Sequence, residues 1–465
     1  MSFKNLIIFF ANNFSKLITL FLFLILILVS ALTAQNITAQ QADQRPDIIV
    51  VMVDDLGYIP NDRILKRMPN IKRIFIDGGI RFTQMYNETP LCCPARANFL
   101  SGKHTLSHKV LDNNNEFFND SETITNALST IGYHNILVGK YLNKNKFTTT
   151  MPPGWNQFIL TQSTTIPSYW VNGVLTTFEG RFFDDVVREQ SVSWLQKSPL
   201  DKPVFLLAAP RTPHRHRIEC EKDQIACIYL PKVMDQDKGA KECSDIANFK
   251  PPNYEILPNR REYPVNMVNW PDGWRMTRIC ESLLVVDRMV GQLFETQKSR
   301  GRPAYFIFMS DNGMSWGQKS YPLKHVPTST RLPFYLNGPG ILRGSNDNLL
   351  SIIDIPVTIA EITGSQIPWA DGKSFLSLLN GGSYSGNSEI LEIMAVPPYE
   401  PTETYLGWAA IRTPKWRYIK WDSGKKELYN LDDDPWELNN LVNKRPNKAK
   451  EMKQRLQQLI EESRN

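Results

Sequence analysis

The chain has 465 residues, 42% of them hydrophobic, and a formal net charge of +6. It is long and apolar enough for one large domain and a smaller one, and it has no internal repeat or long low-complexity tract, which excludes a repeat array and a disordered chain. The mild positive charge is spread along the chain, which suits an anionic small substrate and offers no basic tract for nucleic acid.

In chain order, Lys4 and Lys16 precede a run from Leu17 to Val29 that is almost wholly Leu, Ile and Phe, followed by Ser30-Ala31-Leu32-Thr33-Ala34. Residues 1–34 read as a signal peptide or an N-terminal anchor, with a cleaved signal favoured because a spanning helix needs ~20 apolar residues. Either form exports the catalytic part, so the expected location is secreted, periplasmic, cell-surface or lysosomal, with membrane contact only through that segment. Sequons at Asn36, Asn87 and Asn119 are compatible with export.

Asp47 to Val53 is a continuous apolar run, the pattern of a central strand covered on both faces. Asn135–Val138, Val204–Ala209 and Tyr305–Met309 read the same way. Between them, Ser121 is positioned to cap a helix carrying Ile124, Leu128 and Ile131, with Gly132 as its stop. A longer helix sets Met276, Ile279, Leu283, Val286, Val290 and Leu293 on one stripe. Alternating strands and helices predict an α/β domain over residues 45–380 with a large, mixed, mostly parallel sheet. Past a Gly/Ser-rich gap at Gly381-Gly382 the pattern changes. Leu391–Val396, Leu406–Arg412, Trp416–Trp421 and Glu427–Leu431 predict a small antiparallel sheet in residues 381–465, closed by a helix with Met452, Leu456, Leu459 and Ile460 on one face.

The run Cys92-Cys93-Pro94-Ala95-Arg96, closed by Leu100-Ser101-Gly102, carries the most chemistry. Pro94 suits the first turn of a helix, whose free N–H groups would face an anion beside Cys92. Arg96 adds a fixed guanidinium one turn on. Val53-Asp54-Asp55-Leu56-Gly57 and Ser310-Asp311-Asn312-Gly313 each put acidic or amide oxygens at a strand end, the edge where open α/β sheets bind ligands. Three carboxylates and one amide oxygen make a hard site suited to Ca²⁺ or Mg²⁺. Taken singly, either pair is an ordinary turn.

The Cys-x-Pro-x-Arg run with its Leu-Ser-Gly stop resembles the signature of the type I sulfatases of the alkaline phosphatase superfamily. The resemblance extends from Arg45 to Leu441, through Gly139-Lys140, Pro213-His214, Lys324, Gly338-Pro339-Gly340, Asp354-Ile355-Pro356-Val357-Thr358, Glu427 to Leu431, Asp434-Pro435 and Asn439-Asn440-Leu441. It implies an alkaline-phosphatase-like fold and hydrolysis of sulfate esters. It implies that Cys92 is oxidised to formylglycine by a formylglycine-generating enzyme, and that the hydrated aldehyde is the nucleophile. Asp54, Asp55, Asp311, Asn312 and the modified Cys92 would hold one divalent ion, Ca²⁺ or Mg²⁺. Lys140 and Lys324 would contact sulfate with Arg96 beside them, and His214 would lie at the leaving-group oxygen.

Lys140-Tyr141-Leu142-Asn143 and the double Cys92-Cys93 are similar to the N-acetylglucosamine-6-sulfatase branch, which points to a sulfated sugar or glycan. The chain departs from the family at Ala95, where Ser is usual, at Leu142, where many members have His, and at Thr328-Ser329, where a Tyr-Glu is missing. The interval from Lys324 to Arg331-Leu332-Pro333 is about two residues short, which leaves neighbouring His325 as an alternative anion contact. A polar insertion between Arg211 and Trp274 begins beside His214 and is expected to rim the pocket; Arg215, His216 and Arg217 at its start read as a solvated basic loop, with contact to extra anionic groups of the substrate as the alternative. Cys220, Cys227 and Cys243 cluster there, where a disulfide fits an oxidising compartment. Cys280 is expected to pack as a small hydrophobe and Cys93 to be a buried bystander. The rival readings are a phosphonate or phosphate ester hydrolase of the same superfamily and a non-catalytic glycan-binding relative.

Overall fold

The run Asp47–Val53 forms a strand buried along its whole length, at the centre of a ten-stranded sheet. The computed structural model describes residues 25, 43–143, 149–219, 228–246, 249, 252–253, 276–316, 318–319, 322–324, 326–394 and 407–464. The sheet order is Gly344–Asn346, Ile80–Phe82, Phe334–Asn337, Ala304–Ser310, Asp47–Val53, Val204–Ala209, His134–Gly139, Gln157–Ser163, Ser168–Val171, Val174–Thr177. The five strands from Ala304–Ser310 to Gln157–Ser163 run parallel, and antiparallel pairs flank them on both sides. Four of these five strands are the apolar runs of the sequence; the fifth, Gln157–Ser163, was not expected. The outer strands are short or half polar, so their pattern does not separate them from loops.

Side chains alternate across the pleat, so the central strand feeds two cores. Ile48, Val50 and Met52 pack with Ala97, Phe99 and Leu100 of the helix Cys92–Ser101. Ile49, Val51 and Val53 pack with Met276, Ile279, Leu283, Val286, Val290 and Leu293 of the helix Met276–Arg300. The strands Ile390–Met394, Trp408–Arg412, Trp416–Trp421 and Lys426–Asn430 form a separate antiparallel sheet. Met452, Leu456 and Leu459 of the helix Pro446–Glu462 pack on it. Residues 45–199 and 203–465 form one compact unit; residues 1–44 with 200–202 form another, of which the described part is residues 25, 43–44 and 200–202. Among the described residues no helix is long and apolar enough to cross a membrane. The expected leader lies outside the described residues apart from Ile25, as do Asn36, Cys220, Cys227, His325, Val396 and Leu406.

Three local readings are corrected. The cap of the helix Ile124–Thr130 is Thr123, whose hydroxyl accepts from Asn126 N, rather than Ser121. Cys280 is not a lone packed thiol: it forms a disulfide with Cys243, 37 residues away in sequence. Both residues are buried, and a half-cystine on an apolar helix face has the same periodic signature as a small hydrophobe. The bond ties the polar insertion to the long helix. Asn87 is fully buried, and its amide donates to the Asp311 carbonyl at 2.7 Å, so that sequon is part of the core and not an exposed acceptor.

Candidate active site

The site assembles at the carboxyl ends of the central strands. Asp311 N donates to Val53 O at 3.0 Å, so the ends of Asp47–Val53 and Ala304–Ser310 are clamped side by side. Asp55 adopts a left-handed backbone, φ 69°, which turns the chain sharply after Asp54. The neighbouring strand His134–Gly139 ends at Gly139, φ +116°, where a Cβ would lie 2.1 Å from Ala209 O. Only glycine fits there, and it aims Lys140 at Asp54. Cys92 is the first residue of its helix, and Gly102, φ +73°, ends that helix in a left-handed cap.

Three carboxylates and three cations interlock around Cys92. Lys140 Nζ donates to Asp54 Oδ2 at 2.7 Å, Lys324 Nζ to Asp55 Oδ1 at 2.8 Å, and Arg96 Nε to Asp311 Oδ2 at 2.8 Å. Lys324 Nζ also lies 2.9 Å from Cys92 Sγ, and that sulfur is 3.4 Å from Asp54 Oδ1 and 3.7 Å from Asp55 Oδ1. Asn312 Nδ2 donates to Asp55 Oδ1 at 2.7 Å. His214 Nε2 lies 3.6 Å from Asp55 Oδ2. Every residue named from the sequence for catalysis or metal binding converges here, with His325 alone outside the described residues. Arg96 also donates to the Lys140 carbonyl at 2.6 Å, so it braces the loop carrying that lysine as well as Asp311.

Burial opposes charge on every member, and the partners decide the outcome. Burial raises Asp54 and Asp55. Lys140 foremost outweighs it at Asp54, which stays well below the ordinary carboxylate range. Lys324 foremost outweighs it at Asp55, which falls to about 2. Asp311 goes the other way, raised by burial and by Asp54. The Cys92 thiol is pushed up to about 12, by burial first and then by Asp54. Burial lowers His214 to about 4 against the pull of Asp54 and Asp55. Its Nδ1 is 2.7 Å from the Arg215 carbonyl and therefore donates to it, which leaves Nε2 facing the carboxylates.

The donor set fits a hard divalent cation. Ligand atoms of Asp54, Asp55, Cys92 and His214 lie within 4.8 Å of one another. Asp55 Oδ2 and Asn312 Oδ1 are buried without a hydrogen-bond partner, the arrangement expected of oxygens meant for an ion. Two supporting residues carry no signal of a role at the site and escape a reading of the sequence in that role, although Asn87 stands in a sequon. Asn87 holds the Asp311 backbone, and Asp184 accepts from Arg211 N at 2.8 Å and Thr212 N at 2.7 Å, which pins the loop before His214.

A strand-end site of this kind on a mostly parallel α/β sheet defines a hydrolase of anionic esters. Residues 46–365 match the sulfatase family model, and residues 324–465 match the C-terminal model of N-sulphoglucosamine sulphohydrolase. The chain belongs to the sulfatase family, the sulfuric ester hydrolases. It is 27% identical over 372 residues to an extracellular sulfatase SULF-1 homolog of Drosophila melanogaster, covering 72% of this chain and 31% of that relative. It is 25% identical to a choline-sulfatase of Rhizobium meliloti, covering 86% of this chain and 82% of the relative. It is also 25% identical to a goat (Capra hircus) N-acetylglucosamine-6-sulfatase, covering 87% and 81%. A structure solved in complex with its substrate D-glucosamine-2-N,6-O-disulfate superposes with a TM-score of 0.74 at 18% identity, over 90% of this chain and 98% of that one.

Proposed function

We propose that this protein is an exported sulfatase that hydrolyses a sulfate ester on a sulfated sugar, using formylglycine at position 92. One observation carries the reading: Cys92 sits at a helix start with a buried lysine 2.9 Å from its sulfur and carboxylates at 3.4 and 3.7 Å. Cys92 Sγ stands in for an oxygen of the hydrated aldehyde. Oxidation by a formylglycine-generating enzyme replaces the CH₂–SH group with an aldehyde, and water adds to give two hydroxyls on one carbon. The sugar class is supported by the glucosamine sulfatase among the relatives.

Asp54, Asp55, Asp311, Asn312 and the modified Cys92 would hold the ion, Ca²⁺ or Mg²⁺. When bound, it supplies positive charge to the sulfate and lowers the proton affinity of the attacking hydroxyl. Lys140 and Lys324 hold sulfate oxygens, and Arg96 fixes Asp311 and the Lys140 backbone. One hydroxyl attacks sulfur, and the bond from sulfur to the sugar oxygen breaks. His214 gives the departing oxygen a proton from Nε2. The negative sulfate beside the ring favours that protonated form. The remaining hydroxyl then loses its proton, its oxygen forms the carbonyl, and the carbon–oxygen bond to sulfate breaks. Sulfate leaves and the aldehyde is restored, without water having to attack a crowded sulfur.

Mass spectrometry of the peptide containing residue 92 tests the proposal directly. The thiol mass should be lost at Cys92 and kept at Cys93, and an active preparation with Cys92 wholly unmodified would refute the mechanism. Relative rates on matched aryl sulfate and aryl phosphonate esters should favour the sulfate.

A further inference from the structure

Each carboxylate around Cys92 has its own cation, Asp54 with Lys140, Asp55 with Lys324 and Asp311 with Arg96. A fourth cation, Arg211, is half-buried beside them and has no such match. Its Nη2 comes only within 3.5 Å of His214 Nδ1, a nitrogen whose own proton goes to the Arg215 carbonyl. Its Nε is buried without a hydrogen-bond partner. Among the described residues no carboxylate forms an ion pair with it. Asp184 binds the backbone amides of Arg211 and Thr212, which fixes the loop, and its charge acts on the Arg211 guanidinium only from beyond ion-pair distance. Yet Arg211 is close enough to the reaction centre to help lower the Asp54 pKa.

A fifth cation lies on the same side. Lys232 Nζ donates to the Thr164 carbonyl at 3.0 Å and lies 5.9 Å from the Phe183 ring centre. It too has no carboxylate partner among the described residues. His216 links the two: its Nδ1 is 3.2 Å from Thr164 Oγ1, and its ring is 5.0 Å from Phe183 and 6.1 Å from His214. Burial first, then Arg211, His214 and Lys232, lower His216 to about 3, so the ring adds no charge of its own at neutral pH. Arg211, on the loop pinned by Asp184, and Lys232, on the segment after the strand Ile228–Pro231, are half-buried cations without an ion-paired carboxylate among the described residues, which is costly unless an anion from outside meets them.

We propose that Arg211 and Lys232 form a second anion site, which receives a carboxylate or a further sulfate carried by the same substrate whose ester is cleaved at Cys92. A guanidinium matches either group in two-pronged fashion, and an ammonium beside it adds a point charge. The inference rests on the proposed reaction only for where the first sulfate sits. It makes the preferred substrate at least doubly anionic.

The test uses the full chain, loaded with calcium and verified as modified at residue 92. The substrates are sugars sulfated at one common carbon, presented alone, with a second sulfate, or joined to a uronate. A second anion should raise kcat/KM by about tenfold or more in the wild type. Arg211→Ala and Lys232→Ala should bring that ratio toward one, and Arg211→Lys should keep part of it. A preference in the sulfate arm or the uronate arm alone identifies the source of the anion. A wild-type ratio near one in both arms overturns the site. So do variants that slow singly and doubly anionic sugars by the same factor, which would make Arg211 only a positioning residue for His214. Calorimetric binding of the same sugars to Cys92→Ala protein separates the two proposals. If no sugar is hydrolysed but the doubly anionic ones still bind more tightly, the reaction is wrong and the second site stands. If none is preferred, the site falls.

Discussion

Lys324 is the residue whose removal tests the site most sharply. It lies downstream of Asp311-Asn312, and the interval after it is short for the family it resembles. In the structure it is buried, and its Nζ touches both Asp55 Oδ1 at 2.8 Å and Cys92 Sγ at 2.9 Å. Burial lowers its proton affinity, but Asp55 and then Cys92 more than reverse this, so the ammonium stays charged across any working pH. A sulfate at the residue-92 nucleophile would lie about 4 Å from that charge, where unit charges interact by about 4 kcal/mol at an effective dielectric near 20. Lys324→Met keeps the bulk and removes the charge, so kcat/KM should fall roughly 10³-fold. Lys324→Arg, which keeps the charge on a longer stem, should lose less. The assay is aryl sulfate turnover with residue-92 modification measured in the same sample, because poor maturation would mimic a catalytic defect. A loss below about tenfold in fully modified Lys324→Met protein would refute the assignment and turn attention to His325.

His214→Ala should slow sugar sulfates by about 10²–10⁴ and activated aryl sulfates much less, because an acid matters most for a poor leaving group. If His216→Ala shows that dependence and His214→Ala does not, the roles are exchanged. Asp311→Ala should abolish turnover; Asp311→Asn, which keeps the shape, should remain folded and lose the upward melting shift given by added Ca²⁺. Protein freed of metal by a chelator and still fully active would contradict the ion assignment. Replacing Cys243 and Cys280 together by Ala should cost about 4 kcal/mol, the chain-entropy value for a 37-residue loop. A denaturant midpoint unchanged by the double replacement would mean that the bond does not constrain the unfolded chain.

The sequence by itself determined four of the five parallel strands at the centre of the sheet and the strand-end placement of Asp54, Asp55, Asp311 and Asn312. It could do so because a strand buried on both faces must be continuously apolar, and the polar pair that ends it falls at the edge where such sheets bind ligands. It also picked out the helix at Cys92, through Pro94 in its first turn and Gly102 at its end. Only the tertiary structure decided what each polar residue pairs with. Whether Lys324 reaches Cys92 depends on the path of a loop, and no local periodicity encodes that. Cys280 looks the same in sequence whether it is a thiol in an apolar stripe or half of a disulfide to a distant insertion. Asn87 carries a surface modification pattern yet is buried under Asp311. Arg211 reads as one more basic residue before His214, and only the folded chain shows that, among the described residues, no carboxylate forms an ion pair with it. Periodicity is a property of consecutive residues, whereas charge pairing joins positions hundreds of residues apart, as Lys324 and Asp55 are at 269.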